Sequence, residues 1–144
     1  MVDSPDSILN PTIFIGTLEL REPVTAFTDF MIAITCAIAF WILTTSKKER
    51  SDSFHYYRGF FLMYALGMTF AGWIGHGLQA YLGPEWKMLG WLCSMTGQAL
   101  LVIGSLIEVK SHINSIIYKS IVGALIVQFI VFTVLILNPS TRGF

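Results

Sequence analysis

Long apolar runs alternate with short polar connections along this chain. Four runs are long enough to cross a bilayer, which takes about 20 residues in a helix. They cover roughly 26–45, 56–82, 86–108 and 113–137. Each is apolar all round instead of striped, the pattern of a helix immersed in lipid and not of one lying on a wet surface. Helices are expected over strands because an open strand in lipid leaves its backbone groups unpaired. The expected fold is therefore all-α, a single transmembrane domain over 1–144. It carries an extramembrane N-terminal segment at 1–22 and a short tail at 138–144. The connections are brief: "SKKERSDSFH", then "GPE", then "VKSHINS". Gly83 and Pro84 are helix breakers and predict a tight hairpin between the second and third helices.

Composition agrees with a bilayer as solvent. Hydrophobic residues make up 54% of the chain and charged ones 12%, against about 25% charged in an ordinary soluble protein. Mean hydropathy is +0.66. Nine basic and nine acidic residues cancel, which argues against a nucleic-acid partner. Cys36 and Cys93 stand singly in apolar runs, so neither a disulfide framework nor a zinc knuckle is indicated. The N-terminal stretch is acidic and lacks the basic flank of a cleavable signal peptide.

Orientation follows from the cations. Lys47, Lys48, Arg50, Arg58, Lys110 and Lys119 fall to the first and third loops, and Arg21, Lys87 and Arg142 to the other side. The positive-inside rule then places the first and third loops in the cytoplasm and both termini outside.

Two ionisable residues sit within the spans at one level. His76 lies about 6 residues, or roughly 9 Å, from the outer end of the second helix. Asp29 lies a little over one turn into the first. Glu22, Thr25 and Asp29, at i, i+3 and i+7, share a helix face, and Ser94 and Gln79 are within range of the same outer-leaflet cluster. A charge facing lipid at mid-membrane costs about 2.5 kcal/mol or more, so Asp29 is expected to face other helices with His76 as its partner. Gly67, Ala71 and Gly75 recur every four residues, a spacing that admits a close neighbour. With Ala33 and Ala37 they predict that the first two helices pack together. The candidate binding residues are Glu22, Thr25, Asp29 and His76.

Plainer roles stand beside these. His76 needs only a carbonyl or carboxylate to be satisfied. Asp29 can interact with the positive end of its helix dipole, and Glu22 before Pro23 reads as a helix cap with proline at the first helical position. Trp73, Trp86, Trp91, Tyr81 and Tyr56 suit interfacial anchors. His55 and His112 fall in polar loops, and "KKER" reads as a solvated topology determinant near anionic headgroups.

"EPVTAFTD" opening the first helix, with "GWIGH" late in the second and a hairpin after it, resembles the N-terminal half of the alkaline ceramidases. These belong to a superfamily of seven-helix membrane hydrolases, and the pattern is similar to small bacterial relatives of them. The resemblance spans roughly residues 20–110. It implies His76 as a zinc ligand, Glu22 as an acidic site residue that binds calcium in that family, and zinc-assisted hydrolysis of a lipid amide. Departures accompany it. Gly72 stands where the family has serine, Lys87 where it has aspartate, and no HxxxH pair is present. One histidine does not make the three-ligand site of catalytic zinc.

The resulting expectation is a noncatalytic or degenerate relative of the ceramidase-like hydrolases. Its outer-leaflet site would serve a lipid, an ion or a partner, with membrane lipids, a homo-oligomer or a larger membrane complex as company. The alternative is a zinc-dependent lipid amide hydrolase completed by another chain or by further sequence. A haem protein would need two facing histidines within the spans, and a transporter more polar residues than Gln98, Gln128 and Lys119.

Overall fold

The structure is a computed structural model that describes residues 11–46, 51–83 and 85–138. It opens with a feature the all-α reading did not contain, a β-hairpin. Strand β1 (Thr12–Ile15) pairs antiparallel with β2 (Leu18–Arg21), Ile15 opposite Leu18 and Thr12 opposite Arg21. Gly16 takes φ 64° at the first position of the two-residue turn, where a hairpin of this length wants glycine. The strand signal is the alternation in Leu18-Glu19-Leu20-Arg21. Leu20 is buried, while Arg21 Nε pairs with Glu19 Oε1 at 2.9 Å on the other face. A composition-based reading of 1–22 as merely extramembrane passes over this period of two.

Helix α1 (Pro23–Thr45) follows at once. The second expected helix is broken into three pieces: α2 (Phe54–Met68), a π-helical segment (Thr69–Gly77) and the short α3 (Gln79–Leu82). The wide turn is visible where Leu78 N–H donates to Trp73 C=O, five residues back, at 3.1 Å. Apolar periodicity does not distinguish α from π winding over nine residues, so a single helix over 56–82 was the natural expectation. Gly83, at φ 81°, ends α3. Helices α4 (Trp86–Val109) and α5 (Ser115–Leu137) complete the described elements. Asn114 caps α5 by accepting from Ile116 N–H at 2.8 Å. Lys47, Lys48 and Arg50, which carried much of the orientation argument, lie outside the described residues, as does the tail from 139.

Among the described residues, three helices, α1, α4 and α5, are long and apolar enough to cross a membrane. Their surfaces agree: Val24, Trp41 and Ile116 are 74%, 68% and 72% exposed. Most large side chains point outward, and apart from Leu20, Leu106 and Ile136 the core is made of small ones. Ala26, Ala33, Cys36 and Ala71 are buried, as are Gly67, Gly90, Gly97 and Gly104. Between apolar helices in lipid there is no hydrophobic gain from hiding large residues, so packing relies on close backbone approach. A Cβ on Gly97 would meet the Tyr64 ring at 2.7 Å, and one on Gly104 would meet Tyr56 Cβ at 3.1 Å. The seven-residue spacing of Gly90, Gly97 and Gly104 thus forms the seat of α2 and the π-helical segment on α4.

The stripe Gly67, Ala71 and Gly75 packs on α4, not on α1 as the sequence suggested. A Cβ at Gly67 would lie 3.1 Å from Gly90 O and 2.6 Å from Ser94 Oγ, and one at Gly75 would lie 2.6 Å from Lys87 Cγ. Helix α1 meets the neighbouring glycines instead, Gly72 through Asp29 and Gly77 through Ala26. The segment is therefore clasped from two sides. Helix α5 packs mainly on α4 and stays largely exposed.

Candidate functional site

The start of α1, the end of the π-helical segment and the start of α4 come together at one end of the bundle. Glu22 sits just before α1 with φ 47° and ψ 53°, the only non-glycine residue at positive φ among the described residues. Such a conformation costs about 1–2 kcal/mol for a residue with a Cβ and persists only where its surroundings hold it. Here they do so from both sides. Glu22 N–H donates to Pro11 C=O at 2.8 Å, and Glu22 C=O accepts from Ala26 N–H at 2.9 Å. Glu22 occupies the cap position with Pro23 behind it, as expected, yet its side chain makes no capping hydrogen bond.

That carboxylate reaches across the bundle. Oε2 lies 2.6 Å from His76 Nδ1, and Oε1 lies 3.5 Å from Lys87 Nζ. The histidine contact has the separation of an ion pair but not the alignment of a hydrogen bond, since buried Nδ1 has no hydrogen-bond partner by angle. Lys87 is itself buried, its side chain 9% exposed. Its stem lies across Gly75, where a methyl group would displace it. Glycine at 75 thus clears the path that lets a lysine from α4 reach an acid at the head of α1.

Asp29 lies deeper in α1 and is half-buried against Gly72. Any side chain at position 72 would run into it. His76 is close enough to act on it electrostatically, though the imidazole's direct contact is Glu22 and not Asp29 as anticipated. The Asp29 side chain makes no hydrogen bond among the described residues. Thr25 faces outward and is exposed; its C=O accepts the Thr28 hydroxyl at 2.9 Å. The buried turn of α1 belongs to Ala26, so Thr25 is not brought to the cluster. Ser94 sits against Gly67, farther along α4.

Lys87 is the residue that sequence reasoning missed. In the sequence it stands only as a topology-determining cation and as a departure from the ceramidase-like pattern. Its signal is its place two residues after the "GPE" turn, on the first turn of a helix antiparallel to the one carrying His76. A lysine there falls at the same level as the histidine by connectivity alone. Tyr81, expected as an interfacial anchor, has a further role. Its hydroxyl accepts from Glu19 N–H at 2.8 Å and donates to Thr17 C=O at 3.1 Å, which fastens the hairpin to α3.

A second polar group closes the opposite end. Ser53, fully buried at the head of α2, donates to Glu108 of α4, and Ser51 Oγ lies 2.7 Å from Ser53 Oγ.

The zinc implied by the ceramidase-like resemblance does not fit these donors. Among the described residues no three His, Cys, Asp or Glu side chains converge on a point. The imidazole of His76 has one carboxylate in direct contact, that of Glu22, whose other oxygen faces an ammonium. Catalytic zinc takes three protein ligands, and a lysine at that distance opposes any cation.

Residues 24–141 match a family of unknown function, DUF6962. The chain belongs to that family. No curated protein and no solved structure matches it. The match takes in every span-length helix, and Asp29, His76 and Lys87 with them, while Glu22 lies just before it.

Proposed function

We propose that this protein is a noncatalytic four-span membrane protein, a relative of the ceramidase-like hydrolases, that holds a lipid headgroup at the outer leaflet. The fourth span is the composite of α2, the π-helical segment and α3, which runs from Phe54 to Leu82 and returns the chain between α1 and α4. With four spans and the cation distribution of the sequence, both termini lie outside.

The observation that carries the reading is Asp29. A carboxylate within a membrane helix is expensive unless something compensates it, yet the Asp29 side chain lacks a hydrogen bond among the described residues. Glu22 takes the direct contacts of both His76 and Lys87, and His76 acts on Asp29 only through space, which leaves the Asp29 carboxylate as the acceptor of the cluster without a hydrogen bond. Phe30 of α1 and Trp73 of the π-helical segment, both exposed and with ring centroids 5.3 Å apart, give acyl chains an apolar wall next to Gly72 and Asp29. The occupant that suits such a site is a lipid whose headgroup donates hydrogen bonds, above all a primary ammonium.

Native mass spectrometry of the protein released from mixed vesicles tests this. Ethanolamine lipids carry N–H donors and choline lipids do not. Preferential retention of the ethanolamine lipid, lost in Asp29→Asn, supports the site. Equal retention of the two by the unaltered protein refutes it. A zinc ion retained in stoichiometric amount and lost in His76→Ala would instead favour a hydrolase.

A further inference from the structure

Away from the charged cluster, the middle of the bundle carries two amides. Gln98 lies near the middle of α4 and Gln128 near the middle of α5. Both are exposed, and both border the same shallow notch between the two helices with Met95, Ala99, Leu125 and Phe129. Gln98 Oε1 accepts from Tyr64 O–H at 3.1 Å, which leaves its N–H donors for another group. Gln128 makes no hydrogen bond among the described residues. Everything around it on α5 is apolar, with Val127, Ile130 and Val131 all at least 50% exposed.

In water an exposed glutamine needs no explanation. At the centre of a bilayer it does, because acyl chains neither donate nor accept and an unpaired amide there is costly. We infer that the face of α4 and α5 bearing Gln98 and Gln128 is the contact surface for a second copy of this chain, with the amides hydrogen-bonded across the interface.

A second copy is the occupant for two reasons. A two-fold axis along the membrane normal keeps each residue at its own depth, so mid-bilayer amides of one copy meet those of the other. An amide is also donor and acceptor at once, so the patch is self-complementary, as a two-fold interface requires. A lipid chain satisfies neither condition. The loose attachment of α5, which packs on α4 alone to any extent, suits a helix whose remaining surface is covered by a partner. This surface is independent of the lipid site, which lies at the end of the bundle.

The test is association of singly labelled full-length protein in vesicles, read by energy transfer as the protein-to-lipid ratio is varied. The unaltered chain should form dimers, and Gln98→Leu with Gln128→Leu should weaken dimerisation by about tenfold. Both positions are exposed, and retained tyrosine and tryptophan fluorescence with an unchanged helical circular-dichroism spectrum shows that the double variant is folded. Gln128→Asn, which keeps an amide, should recover part of the loss. A monomer at every ratio overturns the inference, and so does a double variant that dimerises as well as the unaltered protein. Association with the leucine variant of the other copy at undiminished strength overturns it equally, because it would show that paired amides are not needed.

Discussion

His76 Nδ1 lies 2.6 Å from Glu22 Oε2, joining the end of a π-helical segment to the residue that opens the first membrane helix. Lys87 approaches the other oxygen of the same carboxylate at 3.5 Å. Glu22 is thus the shared anion of two basic groups from two different elements, and the three chain segments depend on it together.

Removing that anion is predicted to be the worst single change in the cluster. Glu22→Gln leaves the buried ammonium of Lys87 without its counter-ion, a loss on the order of 3 kcal/mol when buried pairs are broken from one side. Lys87→Met keeps the stem across Gly75 and removes the charge, and should cost about 1 kcal/mol or less. Thermal unfolding in detergent should rank the two variants in that order. Equal losses would contradict the reading of Glu22 as an anion shared by two basic groups.

The backbone at position 22 makes a separate prediction. Glu22→Gly and Glu22→Ala both delete the carboxylate, but only glycine adopts φ 47° without strain. The glycine variant should be more stable than the alanine variant by about 1 kcal/mol, measured by the same unfolding experiment. A more stable alanine variant would show that the left-handed conformation is not retained.

Two glycines should respond to alanine with opposite signs. At Gly72 the added methyl meets Asp29, with Oδ2 at 2.6 Å and Cγ at 2.8 Å, and overpacking of this kind costs about 1–3 kcal/mol. At Gly123, within α5, it meets nothing within 4 Å, so the variant gains about 1 kcal/mol of helix propensity. Unfolding midpoints below and above that of the parent protein are expected.

Tyr81→Phe should act locally. It removes both hydrogen bonds that pin the hairpin to α3 while leaving the ring in place. Faster amide exchange at Glu19, with the rate at buried positions of α4 unchanged, is the expected result. Slowed exchange at Glu19 would contradict it.

The helices were legible in the sequence because lipid leaves one option for a long apolar run. The run around "AFTDFMIAITCAIAFW" cannot be buried in a core as small as this chain affords, and α1, α4 and α5 fall within a few residues of where they were expected. The level shared by Asp29 and His76 was legible too, since connectivity fixes which helix ends coincide. What was not legible is rotation about each helix axis. Glu22, Thr25 and Asp29 share a face on an ideal helix, but Glu22 lies outside the helix in a left-handed conformation and Ala26 takes the buried turn, which sends Thr25 outward. The π-helical winding likewise turns Gly67, Ala71 and Gly75 onto α4 while giving Gly72 and Gly77 to α1. Side-chain partners follow from such rotations, so the imidazole went to Glu22 and the lysine of α4 escaped notice. The hairpin escaped for a different reason: at four residues per strand its alternation is brief, and it lies beside runs whose hydrophobicity dominates any average.

The most direct test of the shared anion is a solid-state NMR distance in lipid bilayers, between ¹⁵Nδ1 of His76 and ¹³Cδ of Glu22. The contact described here predicts dephasing that corresponds to a separation under about 4 Å. A separation beyond about 6 Å would place the imidazole and the carboxylate on different partners, and the cluster at the head of the bundle would not exist as described.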